Sequence, residues 1–68
     1  VDLFVEEADG LSIYDFKTDV VDDDTILERA KKYEPQISMY GKALSVIYNK
    51  PVKKKSIIFL RTAKEIAV

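Results

Sequence analysis

VDLFVEEADGLSIYDFKT, residues 1–18, is the stretch whose reading decides the fold. Two apolar, β-rich runs, Leu3 to Val5 and Leu11 to Phe16, flank Asp9-Gly10, a dipeptide suited to a type I′ turn, so the stretch reads as a β-hairpin. With Asp9 and Gly10 as the two loop residues, Ala8 lies opposite Leu11, Phe4 opposite Asp15 and Asp2 opposite Lys17. Side chains alternate across a strand, so Asp15 and Lys17 share one face, and the pairing adds Asp2 to it. Facing Cβ atoms in such a pair lie about 4.5–5.5 Å apart and diagonal ones about 7–8 Å, close enough for Asp2 and Asp15 to share one metal ion.

Beyond the hairpin, Asp24 suits an N-cap, and Thr25 to Tyr33 has helical character, with Ile26, Leu27 and Ala30 apolar and Glu28 one turn before Lys32. Pro35 interrupts that helix and suits the first turn of another, expected from about Pro35 to Tyr48 with Ile37, Tyr40, Leu44, Ile47 and Tyr48 as its apolar stripe. Asn49-Lys50-Pro51 punctuates the chain. Val52 to Leu60, containing the continuous run Ile57-Ile58-Phe59-Leu60, reads as a buried strand, and Glu65 to Val68 as a short edge strand. The expected order is ββααββ, an α+β class in which an antiparallel hairpin and further strands pack on one or two helices.

The chain has 68 residues, 47% hydrophobic and 34% charged, which bounds it to one small domain. Below roughly 70–80 residues a core rarely yields more than about 3–5 kcal/mol, and no cysteine or histidine is present to supply a disulfide or zinc staple. No apolar run approaches the ~20 residues that span a bilayer, and Val1 to Glu7 lacks the basic start of a secretory signal, so no membrane association and a cytoplasmic setting are expected. The chain opens without an initiator Met, directly in a strand-like run, and reads as a segment of a longer protein. A net charge of -1 argues against a general electrostatic nucleic-acid binder, so any nucleic-acid contact has to be local. The acidic run Asp19 to Asp24 and the basic run Lys50 to Lys55 read first as solvated faces.

Asp2 followed by Asp15-Phe16-Lys17 has the spacing of a D…(D/E)xK site. Hard Mg²⁺ or Mn²⁺ prefers oxygen ligands, and two carboxylates hold it while leaving room for water and a phosphate oxygen. The metal polarises the phosphorus-oxygen bond and acidifies water, and an ammonium such as that of Lys17 orients the water or offsets developing charge. On an ordinary exposed strand the same residues make cross-strand ion pairs worth at most about 1 kcal/mol, which is what a bare DxK usually is. Gln36 and Tyr40, four residues apart in Tyr33-Glu34-Pro35-Gln36-Ile37-Ser38-Met39-Tyr40, share one helix face. Tyr40 suits a helix core or a nucleic-acid surface equally, and Gln36 suits a surface or a helix start.

Taken together, VDLFVEE, IYDFKTD, KKYEPQISMYGKAL and VKKKSIIFLRT resemble the AddA-type branch of the RecB-like nuclease family, within the PD-(D/E)xK superfamily, across essentially the whole chain. Its members show D-L, D-Y-K-T-D and Y-x-x-Q-x-x-x-Y at similar spacings. The resemblance implies a restriction-endonuclease-like core in which residues 1–68 are part of a nuclease domain, with an upstream helix and the helicase domains absent. It further implies an Mg²⁺-dependent (or Mn²⁺-dependent) exonuclease acting on single-stranded DNA ends during double-strand-break processing in bacteria. Asp2 and Asp15 correspond to the metal-binding acids, Lys17 to the catalytic lysine, and Thr18 completes the signature. Gln36 and Tyr40 correspond to the motif beside the DNA path. The implied partners are DNA, helicase domains of the same parent chain and a second nuclease/helicase subunit.

Phe16 stands where relatives often have Tyr, on the strand face away from the site, and Val20 replaces a commonly basic residue. The resemblance also implies a further metal ligand on the helix preceding the first strand. Without cysteine the chain cannot hold the iron-sulfur cluster of some RecB-like nucleases. The other readings are a non-catalytic DNA-binding or structural remnant of the same fold and a stand-alone nuclease of the superfamily. As part of a whole protein the chain is expected to be enzymatic, and in isolation weak or inactive.

Overall fold

The structure, a computed structural model, describes residues 3–68; Val1 and Asp2 lie outside them. Strand β1 (Leu3–Glu7) and strand β2 (Gly10–Lys17) form the expected antiparallel hairpin. One long helix, α1 (Ile26–Tyr48), then carries the chain to β3 (Val52–Phe59), which pairs with β2 in parallel, and β4 (Lys64–Ala67) closes the sheet antiparallel to β3. The sheet order is β1-β2-β3-β4. A parallel pair needs a crossover longer than any hairpin loop, and α1 supplies it, so β2, α1 and β3 form a βαβ unit.

The hairpin register differs from the expected one. Glu7 pairs with Gly10 and Phe4 with Ile13, so Ala8 and Asp9 make the turn and Gly10 belongs to the strand. Contact with β3 explains this. The Leu11 amide donates to the Pro51 carbonyl oxygen at 2.8 Å, and a Cβ on Gly10 would stand 2.8 Å from that same oxygen. The glycine is needed for close backbone approach rather than for the turn. Because the register moves by an even number of residues, the face assignment within the described strands survives. Asp15 and Lys17 still share a face with Phe4 and Glu6, and Phe16 lies on the opposite one. The expected pairing of Asp2 with Lys17 falls outside the described residues, while Phe4 does not face Asp15.

Helix α1 runs through Pro35 instead of breaking there. A proline inside a helix forfeits a hydrogen bond and costs about 3 kcal/mol. Here Pro35 is exposed, while Ile26, Ala30, Ile37 and Gly41 form a buried stripe on both sides of it. Packing that stripe on the sheet outweighs the local penalty. The helix begins at Thr25 rather than Asp24, and the side chain that organises its start is Asp22. One Asp22 carboxylate oxygen accepts the amides of Asp24 at 3.0 Å and Thr25 at 2.9 Å. The helix ends on Asn49 in the left-handed conformation, with its amide bonded to the Ser45 carbonyl.

The core lies between α1 and one face of the sheet, where Ile13, Val21, Ile26, Ala30, Ile37, Ile57 and Phe59 are all buried. At Gly41 the helix comes close to the sheet: a Cβ there would lie 3.3 Å from both Ile13 Cδ1 and Val52 Cγ2. Pairing of Asp15 with Ile57 and Lys17 with Phe59 sets these two charged residues on the helix-covered face, at the carboxyl end of β2. Among the described residues no helix is long and apolar enough to cross a membrane.

Candidate active site

Strand alternation along β2 puts Ile13, Asp15 and Lys17 on one face, and their surroundings grade from core to rim. Ile13 is fully buried, Asp15 is 6% exposed, and Lys17 is half-buried at the strand end. Lys17 Nζ lies 3.1 Å from Asp15 Oδ2. A carboxylate so far out of water needs a charged or hydrogen-bonding partner, and the ammonium two residues along the strand provides it.

The helix completes the corner. Tyr33, in the third turn of α1, presents its ring to Lys17, whose ammonium sits 4.3 Å from the ring centroid. The Tyr33 hydroxyl donates to Asp19 Oδ2 at 2.6 Å, and Arg29, one turn earlier on the helix, donates to the same oxygen at 3.2 Å. The Tyr33 hydrogen bond, together with the Arg29 charge and hydrogen bond, holds the Asp19 carboxyl below its ordinary range. The reciprocal effect of Asp19, with burial adding to it, holds the Tyr33 phenol above its own, so Tyr33 stays a neutral donor. The segment leaving β2 is tied down as well, since the Leu60 amide donates to the Lys17 carbonyl at 2.9 Å.

Asp15 and Lys17 are therefore brought together, and Thr18 follows them, half-buried, just beyond the strand. Gln36 and Tyr40 stand three and seven residues after Tyr33, which puts them on the same flank of α1, both exposed. That flank leads toward the Asp15–Lys17 pair. Asp2 lies outside the described residues, and among those described no group of three or more acids gathers as a metal site. Among the described residues Asp15 is the hard oxygen donor that faces Lys17. It fits a divalent cation in chemistry and falls short of one in ligand number.

No family model matches the chain. Its sequence is 41% identical over all 68 residues to a segment of the AddA-type helicase/nuclease subunit, ATP-dependent by its name, of Carboxydothermus hydrogenoformans, covering 6% of that protein. Over 57 residues, 84% of this chain, it is 46% identical to the protein of the same name from Thermoanaerobacter sp., covering 5% of it. Over its full 68 residues it is 35% identical to the one from Clostridium acetobutylicum, again 5% of that length. These relatives are all helicase/nuclease subunits. The chain spans about one-twentieth of the length of these curated relatives.

Tyr33 and Asp19 are the members of the corner that sequence reasoning did not single out. Both belong to the patterns quoted above: Tyr33 opens Y-x-x-Q-x-x-x-Y, and Asp19 closes D-F-K-T-D. Spacing signalled that Tyr33, Gln36 and Tyr40 share a helix flank. Which strand end that flank meets is a matter of tertiary packing.

Proposed function

We propose that this chain is the nuclease corner of a bacterial helicase/nuclease subunit, hydrolysing phosphodiester bonds of single-stranded DNA ends with Mg²⁺ or Mn²⁺ during double-strand-break processing. The observation that carries this reading is the Asp15–Lys17 pair, a buried carboxylate and an ammonium 3.1 Å apart at a strand end, flanked by the exposed Gln36 and Tyr40. Similarity of the whole chain to segments of helicase/nuclease subunits supports it.

Asp15, with Asp2 as the second acid, is the metal-binding carboxylate in this reading. The metal supplies an acidified water and polarises the phosphate. Lys17 Nζ orients the attacking water and offsets the charge that grows on the phosphate oxygens. Tyr40 offers a ring face on which a base of single-stranded DNA stacks, Gln36 an amide for the backbone or a base edge, and Thr18 a hydroxyl for a phosphate. The chain's net charge of -1 limits general attraction to DNA, so a helicase motor in the same polypeptide, with a second subunit, delivers the strand. A cytoplasmic location follows from that role.

The test is cleavage of end-labelled single-stranded DNA by the full-length protein, with Mg²⁺ and with excess chelator. Cleavage that requires the metal and returns when it is restored is expected. Metal-independent cleavage, or none under conditions where the protein unwinds DNA, overturns the proposal in favour of a non-catalytic remnant of the fold.

A further inference from the structure

Resting on the catalytic reading of Lys17, we propose that Tyr33 and Asp19 form a cradle that positions the Lys17 ammonium, with Tyr33 as a positioning residue. Lys17 is a long, flexible side chain at the end of a strand, half-buried and able to explore several rotamers. Two contacts restrict it. Asp15 Oδ2 holds the ammonium from the strand side at 3.1 Å, and the Tyr33 ring holds it from the helix side at 4.3 Å from the centroid. Either contact alone leaves an arc of positions; the two together fix a point between strand and helix.

The ring is itself fixed. Its hydroxyl is bonded to Asp19 at 2.6 Å, and Asp19 is held by Arg29 at 3.2 Å. A phenol donating to a carboxylate carries more electron density in its ring, which strengthens the attraction for a cation on its face. The arrangement runs Arg29–Asp19–Tyr33–Lys17–Asp15, alternating in charge with a neutral aromatic at its centre. Tyr33 also packs against the core, so a purely structural role is the competing account. That role would leave the chemistry of Lys17 untouched in any variant that still folds.

Cleavage kinetics of the full-length protein on single-stranded DNA separate these accounts, using Lys17→Met, Tyr33→Phe, Tyr33→Leu and Asp19→Asn. Tyr33→Leu is expected to lower kcat about tenfold or more with KM within about twofold, since a misplaced catalytic group costs rate and not affinity. Tyr33→Phe, which keeps the ring and loses the tether, is expected to recover most of that loss. Asp19→Asn is expected to fall between the two. Wild-type kcat in Tyr33→Leu, or a Tyr33→Phe as impaired as Tyr33→Leu, overturns the cradle. Lys17→Met cleaving at the wild-type rate instead overturns the catalytic reading beneath it. The cradle is then judged by a double-mutant cycle between Lys17 and Tyr33 on thermal unfolding of this chain: coupling between them supports it and additivity refutes it.

Discussion

Lys17 and Asp15 project from the same face of β2, with Lys17 Nζ 3.1 Å from Asp15 Oδ2. Sheet pairing explains why the two charges can sit there. Asp15 lies beside Ile57 and Lys17 beside Phe59, so the apolar floor of the core runs under both and ends where the strand ends. The carboxylate is desolvated enough to need its partner, and the ammonium is near enough to the rim to meet a substrate. A pair in that position has more to do than stabilise the fold, because a partly buried ion pair returns little net stability.

The shape of the ammonium matters in this account. Lys17→Arg keeps the charge and replaces a compact head with a planar fork, which cannot occupy the space between Asp15 and the Tyr33 ring in the same way. Cleavage by the Lys17→Arg protein is expected to fall by about a hundredfold, the scale of losing one charge-stabilising group. Steady-state rates on single-stranded DNA check this; activity within twofold of wild type contradicts it.

Gly10→Ala should destabilise the chain by about 1–3 kcal/mol, the usual cost of forcing atoms into a closed space. The added methyl would stand 2.8 Å from the Pro51 carbonyl oxygen, which is backbone and already accepts the Leu11 amide. Urea unfolding is the measurement. An unchanged midpoint would mean that the start of β3 yields freely.

Acid sensitivity follows from Asp19. Its carboxyl is held below the ordinary value of 3.8 by the Tyr33 hydrogen bond and by Arg29. The folded form thus binds the proton less tightly than the unfolded form. The stability Asp19 contributes is complete above 3.8 and is lost as the pH falls through the lower folded value. Asp22, held down by Thr25, and Asp9, held down by Lys53, act in the same direction. Thermal unfolding followed from neutral to acid pH is expected to show Tm falling in that window, with a shallower fall in Asp19→Asn. An identical slope in the variant would contradict the role given to Asp19.

The hairpin, the buried third strand and the common face of Asp15 and Lys17 were legible in the sequence because each rests on local alternation. The common face is also indifferent to an even shift of register. Three features were not legible. Gly10 read as a turn residue because Asp-Gly suits a turn, whereas its neighbour in space, Pro51, lies at the far end of the crossover. Pro35 read as a break because local hydrogen bonding argues for one, and only the continuous burial of Ile26, Ala30, Ile37 and Gly41 shows why the helix carries on. Tyr33 and Asp19 meet Lys17 because α1 docks across the end of β2, a relationship that no spacing along the chain encodes.

The most direct test of the account is to measure DNA cleavage and DNA unwinding side by side in the full-length protein carrying Asp15→Ala or Lys17→Ala. If the corner is the nuclease site, each substitution lowers cleavage by about a thousandfold or more while unwinding stays near wild type, since the chemistry is confined to this segment and the motor lies elsewhere. Cleavage that persists in both variants, or unwinding lost with cleavage intact, contradicts the assignment of Asp15 and Lys17.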